Sequence, residues 1–172
     1  MPSNVEIKAK VDDVEALKRL VEERSGQKPT VILQRDTFFQ VASGRLKLRF
    51  LQDSPSQLIF YKRNDSSGPK HSEYHVSETL DPESLQNVLG EAIGIRGEVR
   101  KTRLLYMVGQ TRVHVDSVEG LGDFMELEVQ MRDDQTLEEG QTIAEALMVD
   151  FGIANENLIS CAYMDLLENK SC

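Results

Sequence analysis

Apolar and polar residues alternate along much of the chain, which is typical of strands with one buried face. Alternating or extended segments are predicted over residues 5–11, 45–51, 58–63, 71–78, 98–108, 111–118 and 124–131. Two shorter apolar pieces, 31–33 and 37–39, are also expected to be extended. The pattern therefore predicts seven or eight short strands.

Apolar residues at helical spacing predict three or four helices between these strands. The clearest start is Asp81-Pro82, where a capping carboxylate precedes a proline at the first helical position. The predicted helices cover about 13–26, 81–94, 142–151 and 163–168. Because strands outnumber helices and short turns join several strands, the sequence favours an α+β domain: an antiparallel sheet or closed barrel with peripheral helices.

Length and composition fit one soluble domain spanning residues 1–172, with 40% hydrophobic and 28% charged residues. No apolar run reaches the ~18 residues of a membrane-spanning helix, and the polar N-terminus does not resemble a signal peptide. The two cysteines, Cys161 and Cys172, are compatible with a disulfide but do not indicate one. A cytoplasmic protein without a membrane partner is expected.

The net charge of −9 argues against a general nucleic-acid binder, because such a protein needs a basic surface. The negative charge is concentrated in the last third of the chain, which is most simply a solvated acidic surface. No nucleic-acid partner is therefore expected. A small anionic ligand held by a local group of cations remains compatible with this composition.

Charged residues follow one another on one face of several predicted strands, and several of these rows carry charges of one sign in series. Residues two apart share a strand face, and the rows formed in this way are Glu6-Lys8-Lys10 beside Asn4, Arg45-Lys47-Arg49, Lys101-Arg103, Arg112-His114-Asp116 and Glu126-Glu128. An ordinary sheet with its polar face in water is one interpretation. Like charges in rows repel, however, unless opposite charge lies between them.

The second interpretation places these rows inside a closed barrel. The cations would then line a cavity that needs anions to neutralise it. Glu6, Glu126 and Glu128 would supply the hard oxygen ligands that Mg²⁺ or Mn²⁺ prefers. Cations for phosphate oxygens and carboxylates for a divalent ion are the equipment of phosphoryl transfer.

Seven segments, in order along the chain, carry a resemblance to one family. They are Asn4-Val5-Glu6-Ile7-Lys8, Gln34-Arg35-Asp36-Thr37-Phe38-Phe39, Leu46-Lys47-Leu48-Arg49, Leu58–Lys62, the trio Arg103, Arg112 and Asp116, Glu119–Glu128, and Ser160–Leu167. Together they resemble the CYTH superfamily, the triphosphate tunnel metalloenzymes, in its class IV adenylate cyclase (CyaB-like) branch. The resemblance covers residues 4 to about 167.

The resemblance implies an eight-stranded antiparallel closed barrel that forms a tunnel, and Mg²⁺- or Mn²⁺-dependent processing of a small-molecule triphosphate. It implies metal ligands at Glu6, Glu126, Glu128 and Asp116. It implies phosphate-binding cations at Lys8, Lys10, Lys47, Arg49, Lys62, Arg103 and Arg112. Catalytic roles are expected for Glu6, Lys8, Arg49 and Arg112.

Two reactions use this equipment, and the sequence does not separate them by itself. Hydrolysis of tripolyphosphate, thiamine triphosphate or a nucleoside triphosphate is favoured. The alternative is an adenylate cyclase that makes cyclic AMP and pyrophosphate from ATP. A catalytically weak binding module is a further alternative, because Asn4 stands where the family motif has its first glutamate. The sequence leaves open whether the protein forms a homodimer.

Overall fold

Eight antiparallel strands close on themselves in the order β1-β5-β4-β3-β2-β6-β7-β8. The architecture comes from a computed structural model that describes residues 3–63 and 68–168. The strands are β1 (Ser3–Lys10), β2 (Thr30–Phe39), β3 (Arg45–Leu51), β4 (Ser56–Arg63), β5 (Lys70–Thr79), β6 (Ile95–Val108), β7 (Thr111–Val118) and β8 (Gly122–Gln130). The described residues also form α1 (Val14–Ser25), α2 (Pro82–Ile93), α3 (Leu137–Asp150) and α4 (Tyr163–Leu167). The expected α+β barrel is confirmed.

The barrel closes where the last strand returns to the first. β8 pairs with β1 from Asn4↔Gln130 to Lys10↔Phe124, and β2 pairs with β6 along nearly its whole length. Closure removes both free edges of the sheet. Every strand therefore has one face towards the barrel interior and one face outwards.

One hydrophobic cluster lies outside the barrel wall. Ile7, Tyr106, Val113 and Leu127 point outwards and pack with Val21 of α1; all five are at most 2% exposed. Residues of α3 contribute to the same cluster and contact β1 and β8. Because these contacts bury the apolar faces of the strands against helices, the opposite faces are free to carry polar and charged side chains.

The segment before and within α4 lies across the end of the barrel at which β1 finishes. Leu158 bridges to Ala9, and the Ile159 amide donates to the Lys8 carbonyl at 2.9 Å. Asp165 accepts a 2.8 Å hydrogen bond from Arg45 at the start of β3. The C-terminal segment is thus bound to several strands, and its residue Tyr163 reaches the barrel interior.

Two predicted element boundaries are wrong. The pieces 31–33 and 37–39 belong to one continuous strand, β2, because the polar residues between them pair with both β3 and β6: Asp36 faces the interior, and Arg35 lies on the outer side, where it pairs with Glu83. The third helix begins at Leu137, five residues before its predicted start. Its N-cap is Thr136, which forms a capping box with Glu139.

Some sequence-based expectations concern the cysteines, a loop and membrane-spanning helices. The segment 64–69 is predicted to be a loop, and its residues 64–67, like Cys172, lie outside the described residues. Cys161 is disulfide-bonded, which its position in the sequence did not indicate. None of the described helices has the length and apolarity needed to cross a membrane.

Candidate functional site

The inner faces of the strands surround one cavity of about 860 Å³, including its open mouth. This cavity is called the tunnel below. The cations that line it are Lys8, Lys47, Arg49, Lys101, Arg103 and Arg112, and the carboxylates are Glu6, Asp36, Glu126 and Glu128. The charged rows therefore point inwards, and cations outnumber carboxylates among the described lining residues.

Asp36 organises one side of the tunnel wall. It lies opposite Arg49 in the β2–β3 register and accepts two 2.8 Å hydrogen bonds from the Nε and Nη2 atoms of Arg49. Lys47 and Lys101 approach the same carboxylate at 3.6 and 3.5 Å. Burial alone raises the pKa of Asp36, but the three cations outweigh burial and hold that pKa well below its usual value. Asp36 is therefore ionised and keeps three cations in fixed positions.

Asp116 plays the matching part on the other side. Its two oxygens accept 2.8 Å hydrogen bonds from Arg103 Nε and Nη2, and Oδ2 also accepts a 2.7 Å hydrogen bond from the Tyr163 hydroxyl. The Asp116 side chain is fully buried. Arg103 Nη2 in turn lies 3.4 Å from Glu126, so Arg103 joins the buried aspartate to a carboxylate of the tunnel.

Glu126 and Glu128 lie on the same face of β8, with different partners. Glu126 faces cations: Lys8 Nζ lies 3.5 Å from its Oε1 and Arg103 Nη2 lies 3.4 Å from its Oε2. These cations outweigh burial and hold the pKa of Glu126 well below its usual value. Glu128 instead accepts a 2.9 Å hydrogen bond from the neutral amide of Asn4. Both glutamate side chains are about one-fifth exposed and can be reached from the cavity.

The donor set near Glu128 fits a hard divalent cation. Glu6 lies directly opposite Glu128 on β1, and like charges at opposite positions are unfavourable unless a cation lies between them. Asn4 Oδ1 and His114 Nδ1 are buried and have no hydrogen-bond partner. Carboxylate and amide oxygens are the ligands that Mg²⁺ prefers. In the part of the chain described, however, no three acidic, histidine or cysteine side chains are already gathered as a metal site.

This geometry agrees with a family assignment made over almost the whole chain. The family model described as the CYTH domain matches residues 3–163. The chain belongs to the CYTH family. The tunnel of this CYTH barrel therefore occupies the part of the fold that the family model covers.

Three similar proteins illustrate the relationship. A Methanocaldococcus jannaschii protein proposed to be an adenylate cyclase is 30% identical, with 94% of this chain and 97% of that protein covered. Adenylate cyclase CyaB of Aeromonas hydrophila is 27% identical over 95% of this chain and 88% of its own length. A Hippeastrum protein, proposed to be an adenylyl cyclase and described as having a dominant triphosphatase activity, superposes with a TM-score of 0.70 at 19% identity; the match covers all of this chain and 98% of that one.

Three of the predicted site residues do not lie where the sequence placed them. Lys62 is exposed and shares the outer face of β4 with Phe60, so it does not line the tunnel of this CYTH barrel. Lys10 is exposed at the last position of β1 and lies outside the tunnel lining. Asp116 is enclosed between Arg103 and Tyr163 and does not line the cavity, so the structure shows it as a partner of an arginine and not in the place expected of a metal ligand.

Several residues of the site were not among the predicted ones. Asp36, Lys101 and Tyr163 all line the tunnel. Alternation along β6 already placed Lys101 on the face of Arg103, so that residue was within reach of sequence reasoning. Asp36 needed the long β2 strand, and Tyr163 needed the fold of the C-terminal segment over the barrel end.

Two lysines that line the tunnel have pKa values well below that of an ordinary lysine. Burial, followed by repulsion from Arg49, lowers the pKa of Lys47 to about 8. Burial, followed by repulsion from Arg103, lowers the pKa of Lys101 to about 7. Asp36 opposes both shifts but does not cancel them. The ligand-free tunnel therefore holds more positive charge than its carboxylates neutralise, and it sheds protons near neutral pH.

A pH dependence of stability follows from these two shifts. Between about pH 7 and 9.5 the unfolded chain keeps protons on both lysines while the folded chain loses them, so the free energy of unfolding of the ligand-free protein should rise with pH. Urea unfolding at several pH values measures this. Lys101→Met should reduce the slope, because it removes one of the two groups. A free energy of unfolding that falls across this range would contradict the account.

Proposed function

We propose that this protein is a divalent-metal-dependent hydrolase of triphosphates. The observation that carries the proposal is the gathering of six lysine and arginine side chains and three glutamates around one cavity. Arginine matches phosphate oxygens in a bidentate way, and lysine acts as a point charge. A linear triphosphate is the ligand that such a cation-lined cavity suits best.

Charge balance supports the same ligand class. The described lining residues carry two formal positive charges more than negative ones. A divalent ion would add two more, which approaches the charge of an ionised triphosphate. Because most of these charged side chains are largely buried, their charges act more strongly than they would at the surface.

The metal would be held by Glu126 and Glu128, with Glu6 and the Asn4 amide oxygen as further ligands. When bound, such an ion supplies positive charge to phosphate oxygens as a Lewis acid. The chain's own cations do the remaining work. Lys47, Arg49 and Arg103 hold the phosphate chain from the walls, and Arg112 lies at the exposed mouth. Held in this way, the phosphoryl group has its charge stabilised while water forms a new P–O bond to phosphorus, the bridging P–O bond to the leaving phosphate breaks, and the proton of the water passes to solvent.

Adenylate cyclase activity is the second candidate, and one feature of the tunnel favours it. Tyr61 and Tyr74 lie directly opposite each other on β4 and β5, and both line the cavity. Paired aromatic rings beside a phosphate-binding site offer a surface on which a purine base can stack. The name of the Aeromonas relative agrees with this candidate.

Product analysis separates the candidates. The purified protein is incubated with tripolyphosphate, thiamine triphosphate and ATP in turn, with Mg²⁺ or Mn²⁺, and every product is identified. Orthophosphate as the main product from any of the three supports the hydrolase. Cyclic AMP and pyrophosphate as the main products from ATP would replace it with the cyclase. Tight binding without turnover would leave only a binding module.

A further inference from the structure

We propose that Tyr163, which belongs to none of the barrel strands, is a positioning residue that fixes three cations of the tunnel. Tyr163 belongs to α4, in the C-terminal segment, yet it is only 4% exposed and lines the cavity. The effect of Tyr163 on substrate binding rests on the proposed function. The arrangement of the side chains can be tested without any substrate.

The hydroxyl of Tyr163 acts on Arg103. It donates a 2.7 Å hydrogen bond to Asp116 Oδ2, the same oxygen that accepts from Arg103 Nη2 at 2.8 Å. Asp116 has no access to water that could replace a lost donor. Burial raises the pKa of Tyr163 well above its usual value, so the hydroxyl remains a donor. Without the Tyr163 hydroxyl, Asp116 is held less firmly, and the guanidinium of Arg103 can shift between Asp116 and Glu126.

The ring of Tyr163 acts on two lysines. Lys8 Nζ lies 4.1 Å and Lys101 Nζ lies 5.1 Å from the ring centroid, within the range of cation–π attraction. Phe124 supports the ring from the side, with the centroids 5.1 Å apart. The hydroxyl and the ring therefore hold different cations, and they can be removed separately.

Tyr163→Phe removes only the hydroxyl, and Tyr106→Phe is its matched control. Tyr106 is also buried and also donates to a carboxylate, but its partner is Glu22 and its side chain packs in the core outside the barrel. We expect Tyr163→Phe to weaken tripolyphosphate binding about tenfold, because one hydrogen bond to a charged group is lost. Tyr106→Phe should leave that affinity unchanged. Calorimetric titration in excess Mg²⁺ measures both.

A second readout needs no ligand. The Arg103 Nε–H group is observed in ¹⁵N spectra and assigned from an Arg103→Lys variant. Its exchange with water should become about tenfold faster in Tyr163→Phe and stay the same in Tyr106→Phe. In the Arg103→Lys background, adding Tyr163→Phe should change tripolyphosphate affinity much less than it does in the wild-type protein, because the two residues act as a unit.

The outcomes separate this inference from the proposed function. If Tyr163→Phe and Tyr106→Phe behave alike in both measurements, Tyr163 is only a packing residue and the inference is wrong. If affinity falls while Arg103 exchange is unchanged, the route through Arg103 is wrong. If the wild-type protein does not bind tripolyphosphate but Arg103 exchange still rises in Tyr163→Phe, the proposed function fails and the positioning role stands.

Discussion

Replacing Asp36 with asparagine is expected to lower the free energy of unfolding by about 3–5 kcal/mol, the usual cost of removing one partner from a buried ion pair. Asp36 is 1% exposed and binds Arg49 through two hydrogen bonds, with Lys47 and Lys101 close by. Asparagine has nearly the same shape but no charge. The variant therefore leaves the Arg49 guanidinium without its buried anion and removes the carboxylate that favours the charged forms of Lys47 and Lys101. Denaturant unfolding at neutral pH measures the loss.

Asp134→Asn provides the control for this prediction. Asp134 is exposed in the turn that precedes α3, so the same chemical change should alter stability by less than about 0.5 kcal/mol. Equal effects of the two substitutions would mean that Asp36 does not organise the tunnel wall. Because the change is made on the wall and not on a metal ligand, this result is independent of which reaction the protein performs.

Glu126→Gln is expected to lower metal-dependent phosphate release by about 100-fold or more, in the range seen when a preorganised charge is removed from an active site. Glu126 is ionised, reachable from the cavity and in contact with Lys8 and Arg103. Glutamine keeps the shape but binds a divalent cation more weakly. The apparent Mn²⁺ concentration for half-maximal rate should therefore rise as well. Phosphate release at several Mn²⁺ concentrations tests both effects.

The control for Glu126→Gln is Glu73→Gln. Glu73 lies on the outer, exposed face of β5, opposite Lys62. The rate of phosphate release by the Glu73→Gln variant and the Mn²⁺ dependence of that rate should match those of the wild-type protein. Unchanged rate and metal dependence in Glu126→Gln would remove that residue from the metal site and leave Glu128 with Glu6 as the remaining carboxylates.

Alternation was enough to predict which charges share a face, because the side-chain period of a strand is two residues. It placed Lys47 with Arg49 and Glu126 with Glu128, and these pairs lie inside the tunnel. Alternation alone does not say which face is inside. For β4 the interior face carries Ile59 and not Lys62, so the lysine taken from the family pattern lies outside.

The partners of the charged residues could not be predicted in the same way. The pairing of Asp36 with Arg49 depends on the register between β2 and β3, and β2 looked like two pieces because its middle is polar. The family resemblance implied that Asp116 is a metal ligand. Its actual partner depends on the β6–β7 register, which places it opposite Arg103. Contacts of this kind come from tertiary structure and leave no local signal.

The central claim is that the inward-facing cations bind a triphosphate, and a matched pair of lysines tests it most directly. Lys47 lines the tunnel from β3, whereas Lys62 lies on the outer face of the neighbouring strand. Tripolyphosphate is titrated calorimetrically into the wild-type protein, Lys47→Ala and Lys62→Ala at one salt concentration. We predict saturable binding to the wild-type protein, affinity about tenfold weaker in Lys47→Ala, and no change in Lys62→Ala. Equal losses in the two variants, or no saturable binding to the wild-type protein, would contradict the account.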